Sequence, residues 1–310
     1  MVFKEDDLIK KILVVISLLM LIFSISCIEK IPTPFTEKFE ETYPIEKEIS
    51  LSVENFNGSV TITKWSENNI SVYAEKKSIA GKGELKNVDI EVIKNDEFII
   101  KSTKLTKNPK VSITYNIKVP DKVILKDIIT SNGSIDIVDL KGDSNLKSSN
   151  GYIKVTNHTG NIKVDTSNGR IEIINLVGNA NLNTSNGKIL VDGCERLNQV
   201  ETSNASIEIR RSKEVGDIKT SNGKIEVDIY KIKEGGAKIY SSNGSIYLNI
   251  KSDLNIDIEA ETSNGKIDVK DLNLITDTIK GNYLKGKLNN GGETLSIKTS
   301  NASIYLSKLD

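Results

Sequence analysis

Residues that carry catalytic and metal-binding chemistry are scarce in this 310-residue chain. It has one histidine, two cysteines and one tryptophan, and aromatic residues make up 5% of the sequence. The histidine is His158 and the cysteines are Cys27 and Cys194, so no Cys/His cluster with the spacing of a transition-metal site exists. We therefore expect no metal site, no cofactor and no nucleophile–base pair for catalysis.

An excess of charge of either sign is also absent, since 42 Lys and Arg residues balance 42 Asp and Glu residues. A chain without a basic surface lacks the electrostatic attraction that nucleic acids exert, so we expect no nucleic-acid partner. Proline is absent after residue 120. Because proline removes a hydrogen-bond donor from a central strand, this proline-free part is expected to consist of paired strands.

Ser-Asn-Gly or Ser-Asn-Ala recurs along the proline-free part, mostly every 18 residues. The asparagines of these motifs are Asn132, Asn150, Asn168, Asn186, Asn204, Asn222, Asn243, Asn264 and Asn301. A fixed period of this length is typical of a solenoid, in which each repeat is one coil stacked on its neighbours. Isoleucine follows each asparagine by three residues, and Val, Ile or Leu by five, which is the alternation of a short strand.

The pattern predicts an all-β fold, a parallel β-solenoid that we expect to be right-handed, with two strands in each coil of about 18 residues. Because Asn and Gly tolerate left-handed backbone, a sharp turn with positive φ is expected at each motif. The nine asparagines are expected to point inward and to form a hydrogen-bonded ladder, beside inward Thr or Ser two residues earlier. The 37-residue interval before Asn301 is expected to hold two coils, between Leu272 and Leu295.

The first 28 residues are expected to be a targeting segment rather than part of the fold. Lys10 and Lys11 precede an uncharged apolar run that ends near Ser26-Cys27. This end resembles a lipoprotein processing site, with Cys27 as the lipidated residue, and an uncleaved membrane anchor is the alternative. Either one would leave the remainder exported and anchored to the outer face of the cytoplasmic membrane or at the cell surface.

Three further segments follow the targeting segment. Residues 29–44 are expected to form a polar tether. Residues 45–123 are expected to hold a first coil and an antiparallel β cap that seals one end of the stack. Residues 124–310 are expected to form the Ser-Asn-Gly solenoid.

Carboxylates recur four residues after the motif asparagine, on the outward side of the strand. They are Asp136, Glu172, Glu208, Glu226 and Asp268. Acids about 4.8 Å apart on neighbouring coils could form a catalytic pair. Interleaved lysines instead favour a charge-balanced, solvated wall, and we predict that the protein is not an enzyme. His158 and Cys194 stand eight residues after an asparagine, as Leu140 does, so core positions are expected for both.

Four segments together resemble the putative-adhesin β-solenoid family (DUF4097-like), a domain of unknown function. They are NFNGSVTITKW, IKVPDKVILKDIITSNGSIDI, the tandem TSNG coils and IKGNYLKGKLNNGGETLSIKTSNASIYL, and the resemblance spans about residues 45–308. It implies a non-catalytic, adhesin-like surface protein that binds an envelope polymer, a carbohydrate or a protein. A carbohydrate-active enzyme on the same scaffold and an envelope sensory or regulatory ectodomain are the alternatives.

Overall fold

A computed structural model of the protein describes residues 33–309. The predicted targeting segment, residues 1–28, and the candidate lipidation residue Cys27 lie outside the described residues. Within them, one short 3₁₀ helix spans Lys82–Asn87. The strands are Phe35–Pro44 (β1), Ile49–Glu54 (β2), Val60–Lys64 (β3), Asn69–Ser78 (β4), Val88–Lys94 (β5), Glu97–Lys104 (β6), Ser112–Val119 (β7), Val123–Ile129 (β8), Ile135–Val138 (β9), Ser144–Ser148 (β10), Ile153–Thr159 (β11), Ile162–Thr166 (β12), Ile171–Thr184 (β13), Ile189–Thr202 (β14), Ile207–Arg210 (β15), Glu214–Thr220 (β16), Ile225–Ile229 (β17), Ala237–Ser241 (β18), Ile246–Ile250 (β19), Ile256–Thr262 (β20), Ile267–Lys270 (β21), Leu274–Lys280 (β22), Tyr283–Leu288 (β23), Glu293–Thr299 (β24) and Ile304–Lys308 (β25).

The repeat region forms two parallel faces that meet at the Ser-Asn-Gly corner. Face B holds the strand that precedes each motif, and its order from β2 is β2–β8–β10–β12–β13–β14–β16–β18–β24–β20. Face A holds the strand that follows each motif, in the order β3–β9–β11–β13–β14–β15–β17–β19–β25–β21. The strands β13 and β14 run through a second corner and belong to both faces. The predicted parallel solenoid is confirmed.

The core is a narrow layer of aliphatic side chains between the two faces. The isoleucines three residues after the motif asparagine are fully buried in every coil except the last one of face A, where Ile267 is partly buried. Parallel pairing in register places each of these side chains directly on its counterpart in the next coil, as for Ile153 and Ile171. Burial of this continuous stripe drives the stacking, because one coil alone cannot cover its apolar side.

An antiparallel cap closes the N-terminal end of the stack, as predicted. Strands β6 and β7 pair in parallel with β2 and β3, while β5 and β4 pair antiparallel with β6 and β7. The residues assigned to the end of the polar tether belong to this cap, because Phe35–Pro44 pair antiparallel with β4 over ten residues. The tether expectation missed the spacing of Phe39 and Tyr43, which lie on one side of β1 and pack against the core.

The C-terminal end is also capped by antiparallel strands, and here one expectation is wrong. The interval between Leu272 and Leu295 does not hold two coils. Strands β22 and β23 form an antiparallel hairpin, and β23 pairs antiparallel with β20. Gly281 and Asn282 are the two residues between these strands, which is the turn signature of a hairpin rather than of a solenoid corner.

Neither the first nor the last coil of the chain lies at an end of the stack. The first coil, β2 and β3, is inserted between the coil β6/β7 and the coil β8/β9. The last coil, β24 and β25, is inserted between β18/β19 and β20/β21. The order of coils in space therefore departs from their order in the sequence at both ends.

Candidate functional site

The nine motif asparagines come together in one ladder along the Ser-Asn-Gly corner. The Nδ2 group of each donates to the Oδ1 atom of the next at 2.7–2.8 Å, in the order Asn264, Asn301, Asn243, Asn222, Asn204, Asn186, Asn168, Asn150 and Asn132. All donors point toward the N-terminal end. The side chains are exposed, so the expectation that they point inward is wrong. The corner turns outward over the asparagine, and the residue two positions earlier is the one that faces the core.

A second row of hydrogen bonds runs inside the corner, along the buried hydroxyls two residues before each asparagine. Thr166 Oγ1 donates to the carbonyl of Gly151 in the preceding coil at 3.2 Å and accepts from the N–H of Gly169 at 3.2 Å. Equivalent hydroxyls are Ser148, Thr184, Thr220, Ser241 and Thr262. Each one satisfies two backbone groups that the turn would otherwise leave unpaired in the interior.

Left-handed backbone lies at the second corner and not at the motif asparagines. Seven residues after the asparagine, φ is 59° at Asp139, 52° at Asn157 and 55° at Asn175. Their side chains form a further ladder, in which Asn157 donates to Asp139 and Asn175 donates to Asn157. Sequence reasoning missed this corner, although the recurrence of Asp, Asn or Gly at that position was a visible signal.

The motif glycines are favoured by the close approach of neighbouring coils instead. A Cβ added at Gly169 would lie 1.8 Å from the carbonyl oxygen of Gly151 in the preceding coil. Stacked backbones at the corner therefore leave no room for a side chain without a local shift. The sequence has alanine at two of these positions, Ala205 and Ala302, where the corner accommodates it.

His158 and Cys194 lie in the core at the second corner. His158 is 1% exposed, and its Nε2 group donates to the carbonyl oxygen of Gly142 at 2.7 Å. Its Nδ1 atom has no hydrogen-bond partner among the described residues. Burial lowers the pKa of this imidazole, so the ring is neutral near pH 7. Burial raises the pKa of the Cys194 thiol to about 12 and keeps it protonated. A buried neutral imidazole and a buried protonated thiol are suited to core packing rather than to proton transfer or nucleophilic attack.

Three of the five outward carboxylates of face A, Glu172, Glu208 and Glu226, pair with neighbouring cations, whereas Asp136 and Asp268 form no ion pair with another described residue. Of the five, only Glu208 and Glu226 lie on adjacent coils. Lys188 Nζ lies 2.9 Å from Glu208, and Arg210 contacts both Glu208 and Glu226, at 2.8 and 3.7 Å. The hydrogen bond from Lys188 lowers the pKa of the Glu208 carboxyl. A carboxyl held ionised cannot serve as the general acid that glycoside hydrolysis requires.

Two tyrosines, absent from every sequence-based expectation, form an exposed pair on face A. The rings of Tyr247 and Tyr305 stack with centroids 4.6 Å apart and an interplanar angle of 8°, and each residue is 36% exposed. Lys224 Nζ lies 5.4 Å from the Tyr247 ring centre. The pair exists because the last coil is inserted next to the coil of Tyr247. The two coils are not consecutive in the sequence, so the repeat pattern alone could not predict that Tyr247 and Tyr305 lie side by side.

A row of polar side chains borders the tyrosine pair. Ser307 Oγ donates to Asn249 Oδ1 at 2.8 Å, and Asn249 Nδ2 donates to Asp228 Oδ1 at 2.8 Å. We call the surface formed by Tyr247, Tyr305, Asn249 and Ser307 the tyrosine patch. It combines apolar ring surface with fixed donors and acceptors on a flat strand face.

No metal-binding group of three or more His, Cys, Asp or Glu side chains occurs within residues 33–309. In the same part of the chain, no helix is long and apolar enough to span a membrane. Five depressions on the surface of these residues are open to solvent, and none of the five is an enclosed cavity. These five therefore lack the exclusion of water that an enclosed active-site cleft provides.

Comparison with known proteins gives one family match. The sequence model of a family described as Toastrack DUF4097 matches residues 46–307. A solved structure described as a "putative adhesin" from Parabacteroides distasonis has 12% identity and a TM-score of 0.40, and the alignment covers 88% of this chain and 97% of that one. One described as a "putative lipid binding protein" from the same organism has 15% identity and a TM-score of 0.34, with 89% and 97% covered. No curated protein matches the chain.

Proposed function

This chain belongs to the Toastrack DUF4097 family, and we propose that it is a non-catalytic, adhesin-like solenoid that binds an envelope carbohydrate polymer through face A. The observation that carries the proposal is the tyrosine patch. In the middle coils of face A, cations and carboxylates pair with each other, as Lys188, Glu208 and Arg210 do. At the patch, exposed rings replace the ion pairs.

The chemistry of the patch favours a sugar polymer over other ligands. A flat row of coils can contact several units of an extended chain at once, and the strand spacing of about 4.8 Å repeats its contacts regularly. Tyrosine rings supply apolar area at low entropic cost, while Asn249 and Ser307 offer hydrogen-bonding groups for hydroxyls. The balanced charge of the chain gives no comparable attraction for a polyanion.

A carbohydrate-active enzyme is the second candidate, and the acid column gives it little support. The only adjacent acids, Glu208 and Glu226, are bridged by Arg210. Substitution of both by glutamine is expected to leave polymer binding unchanged. If the wild type cleaved the polymer with the help of these residues, the double variant would lose that turnover.

The test is a binding screen of the purified protein against envelope glycans, with product analysis on every ligand that binds. The double variant Tyr247→Ala/Tyr305→Ala is compared with Tyr152→Ala, a control that removes a tyrosine of similar exposure, 46%, from another coil. We expect binding without turnover, lost in the double variant and kept in the control. Equal binding by all three proteins would reject the tyrosine patch as the site, and a cleaved product would reject the non-catalytic assignment.

Anchoring by the N-terminal segment is part of the same proposal and rests on the sequence of residues 1–28. Metabolic labelling with palmitate distinguishes the two forms of anchor. Label in the wild type that disappears in Cys27→Ser indicates a lipoprotein. A membrane-bound wild type without label indicates an uncleaved anchor, and a wild type absent from the membrane fraction would contradict both.

A further inference from the structure

The corner of the solenoid concentrates a chemically fragile dipeptide. Seven of the nine motifs are Asn-Gly, at Asn132, Asn150, Asn168, Asn186, Asn222, Asn243 and Asn264. Asparagine is a thermolabile residue, and a following glycine leaves its own backbone nitrogen unhindered. An exposed corner built from these pairs would be expected to lose its amides over time.

The reaction needs two groups to move freely. The glycine nitrogen attacks Cγ of the asparagine, a new N–C bond forms, the bond from Cγ to the amide nitrogen breaks, and ammonia leaves with the proton of the glycine N–H. Water then opens the resulting succinimide to aspartate or isoaspartate. One water is consumed and one ammonia is released, without any other reactant.

Both reacting groups are held in the interior of the ladder, as Asn168 shows. Its Nδ2 donates to Asn150 and its Oδ1 accepts from Asn186, both at 2.7 Å. The N–H of Gly169 donates to Thr166 Oγ1 at 3.2 Å. Attack therefore requires three hydrogen bonds to open together, and local opening of this kind lowers the reactive population.

The first rung of the ladder differs. Asn132 accepts from Asn150 at 2.7 Å, but within the described residues its own Nδ2 has no acceptor and the N–H of Gly133 has no partner. One hydrogen bond rather than three holds the reacting groups. We propose that the ladder protects its interior Asn-Gly pairs from deamidation and that Asn132 is the ladder position at which the folded protein deamidates.

The aspartate product is tolerated at this rung and at no interior rung. Aspartate at position 132 can still accept from Asn150, whereas aspartate at position 168 cannot donate to Asn150 and would face its Oδ1 atom. Three other ladders of the solenoid already have an aspartate as their first acceptor, namely Asp139, Asp143 and Asp228. Deamidation of Asn132 to aspartate would likewise make an aspartate the first acceptor of the corner ladder.

The primary test is peptide mapping by mass spectrometry of the full-length wild type, kept folded at mildly alkaline pH for several weeks. Asn132 is expected to deamidate about 25-fold faster than Asn168, since two fewer hydrogen bonds must open and each accounts for about fivefold. In denaturant the two positions should react at similar rates. Equal rates in the folded protein, or an Asn168 rate unchanged by unfolding, would overturn the proposal.

Two matched pairs of variants test the two halves of the argument. Thr166→Val frees the N–H of Gly169 and should raise deamidation of Asn168 about fivefold, whereas Thr166→Ser keeps the hydroxyl and should leave it unchanged. Asn132→Asp should melt at the wild-type temperature, and Asn168→Asp should melt lower. If Thr166→Val does not fold, the deamidation rates of Asn132 and Asn168 in the wild type still test the protection by the ladder. Equal destabilisation by Asn132→Asp and Asn168→Asp would refute the claim that position 132 tolerates aspartate.

Discussion

Replacing His158 by leucine should remove a pH-dependent part of the protein's stability. The residue stands in a column of the core between Leu140 and Leu176, and its pairing partner across the strands is Leu176. A leucine there continues the column with a side chain of similar size. His158 is the chain's single histidine, so a difference between variant and wild type near pH 6 reports this ring alone.

The sign of the effect follows from the burial of the ring. Desolvation lowers the pKa of His158 in the folded protein, while the carbonyl of Gly142 and the nearby Asp143 carboxylate oppose that shift only in part. The unfolded chain binds its proton near the ordinary value, about 6.5. Stability is therefore complete above that pH and declines as the pH falls from 6.5 toward the folded-state pKa. At pH 5 the loss is at most about 2 kcal/mol.

At pH 7.5 the substitution has two opposed effects. It removes the buried Nδ1 atom, which has no partner, and it takes the Nε2 donor from the carbonyl of Gly142. Each effect is on the order of 1 kcal/mol, so the variant should lie within about 1 kcal/mol of the wild type. The prediction concerns the difference between the two proteins as the pH is lowered, and not their absolute stabilities.

The assay is urea denaturation followed by circular dichroism at several pH values between 7.5 and 5. Carboxylates distant from His158 contribute equally to both proteins, so their effect cancels, and Asp143 is the carboxylate coupled to the ring. The free energy of unfolding of the variant should rise relative to that of the wild type as the pH falls below 6.5, by up to about 2 kcal/mol at pH 5. A difference that stays constant over this range would refute the neutral, buried state of His158.

Two further predictions concern the corner and the core. The double variant Asn168→Ala/Asn186→Ala removes three hydrogen bonds of the ladder and should lower the free energy of unfolding by about 2 kcal/mol, and an unchanged melting temperature would show that the ladder contributes nothing. Cys194 should resist alkylation in the folded protein because its pKa is about 12, and it should react on unfolding. Peptide mapping follows Cys194 separately from Cys27, and rapid labelling of the native protein would contradict its burial.

The repeating part of the fold was predictable because its signal is periodic. The columns of isoleucine specify which side chains face the core, and parallel stacking follows from their constant spacing. The hydroxyl column, with Thr166 and Thr184, was also expected inside and is buried there. Local alternation and period carry this information without reference to distant parts of the chain.

The features that sequence reasoning missed depend on which coil lies beside which. The tyrosine patch joins residues 58 positions apart through an insertion that no local pattern encodes. The outward orientation of the asparagines depends on how the corner bends, since alternation does not continue through a turn. Strand β1 was missed because charged residues surround Phe39 and Tyr43, which is usual for an edge strand.

The insertion of the last coil has a consequence for biosynthesis. A chain that emerges from its N-terminus cannot complete this solenoid one layer at a time, because the layer between β18/β19 and β20/β21 is synthesised last. Until Glu293–Lys308 is available, Ile239 and Ile246 have an open strand edge beside them. A product truncated before this segment would lack an inner layer rather than a tip, and its unpaired edges would mark it for aggregation or proteolysis. Complete translation is thus a condition for a closed stack.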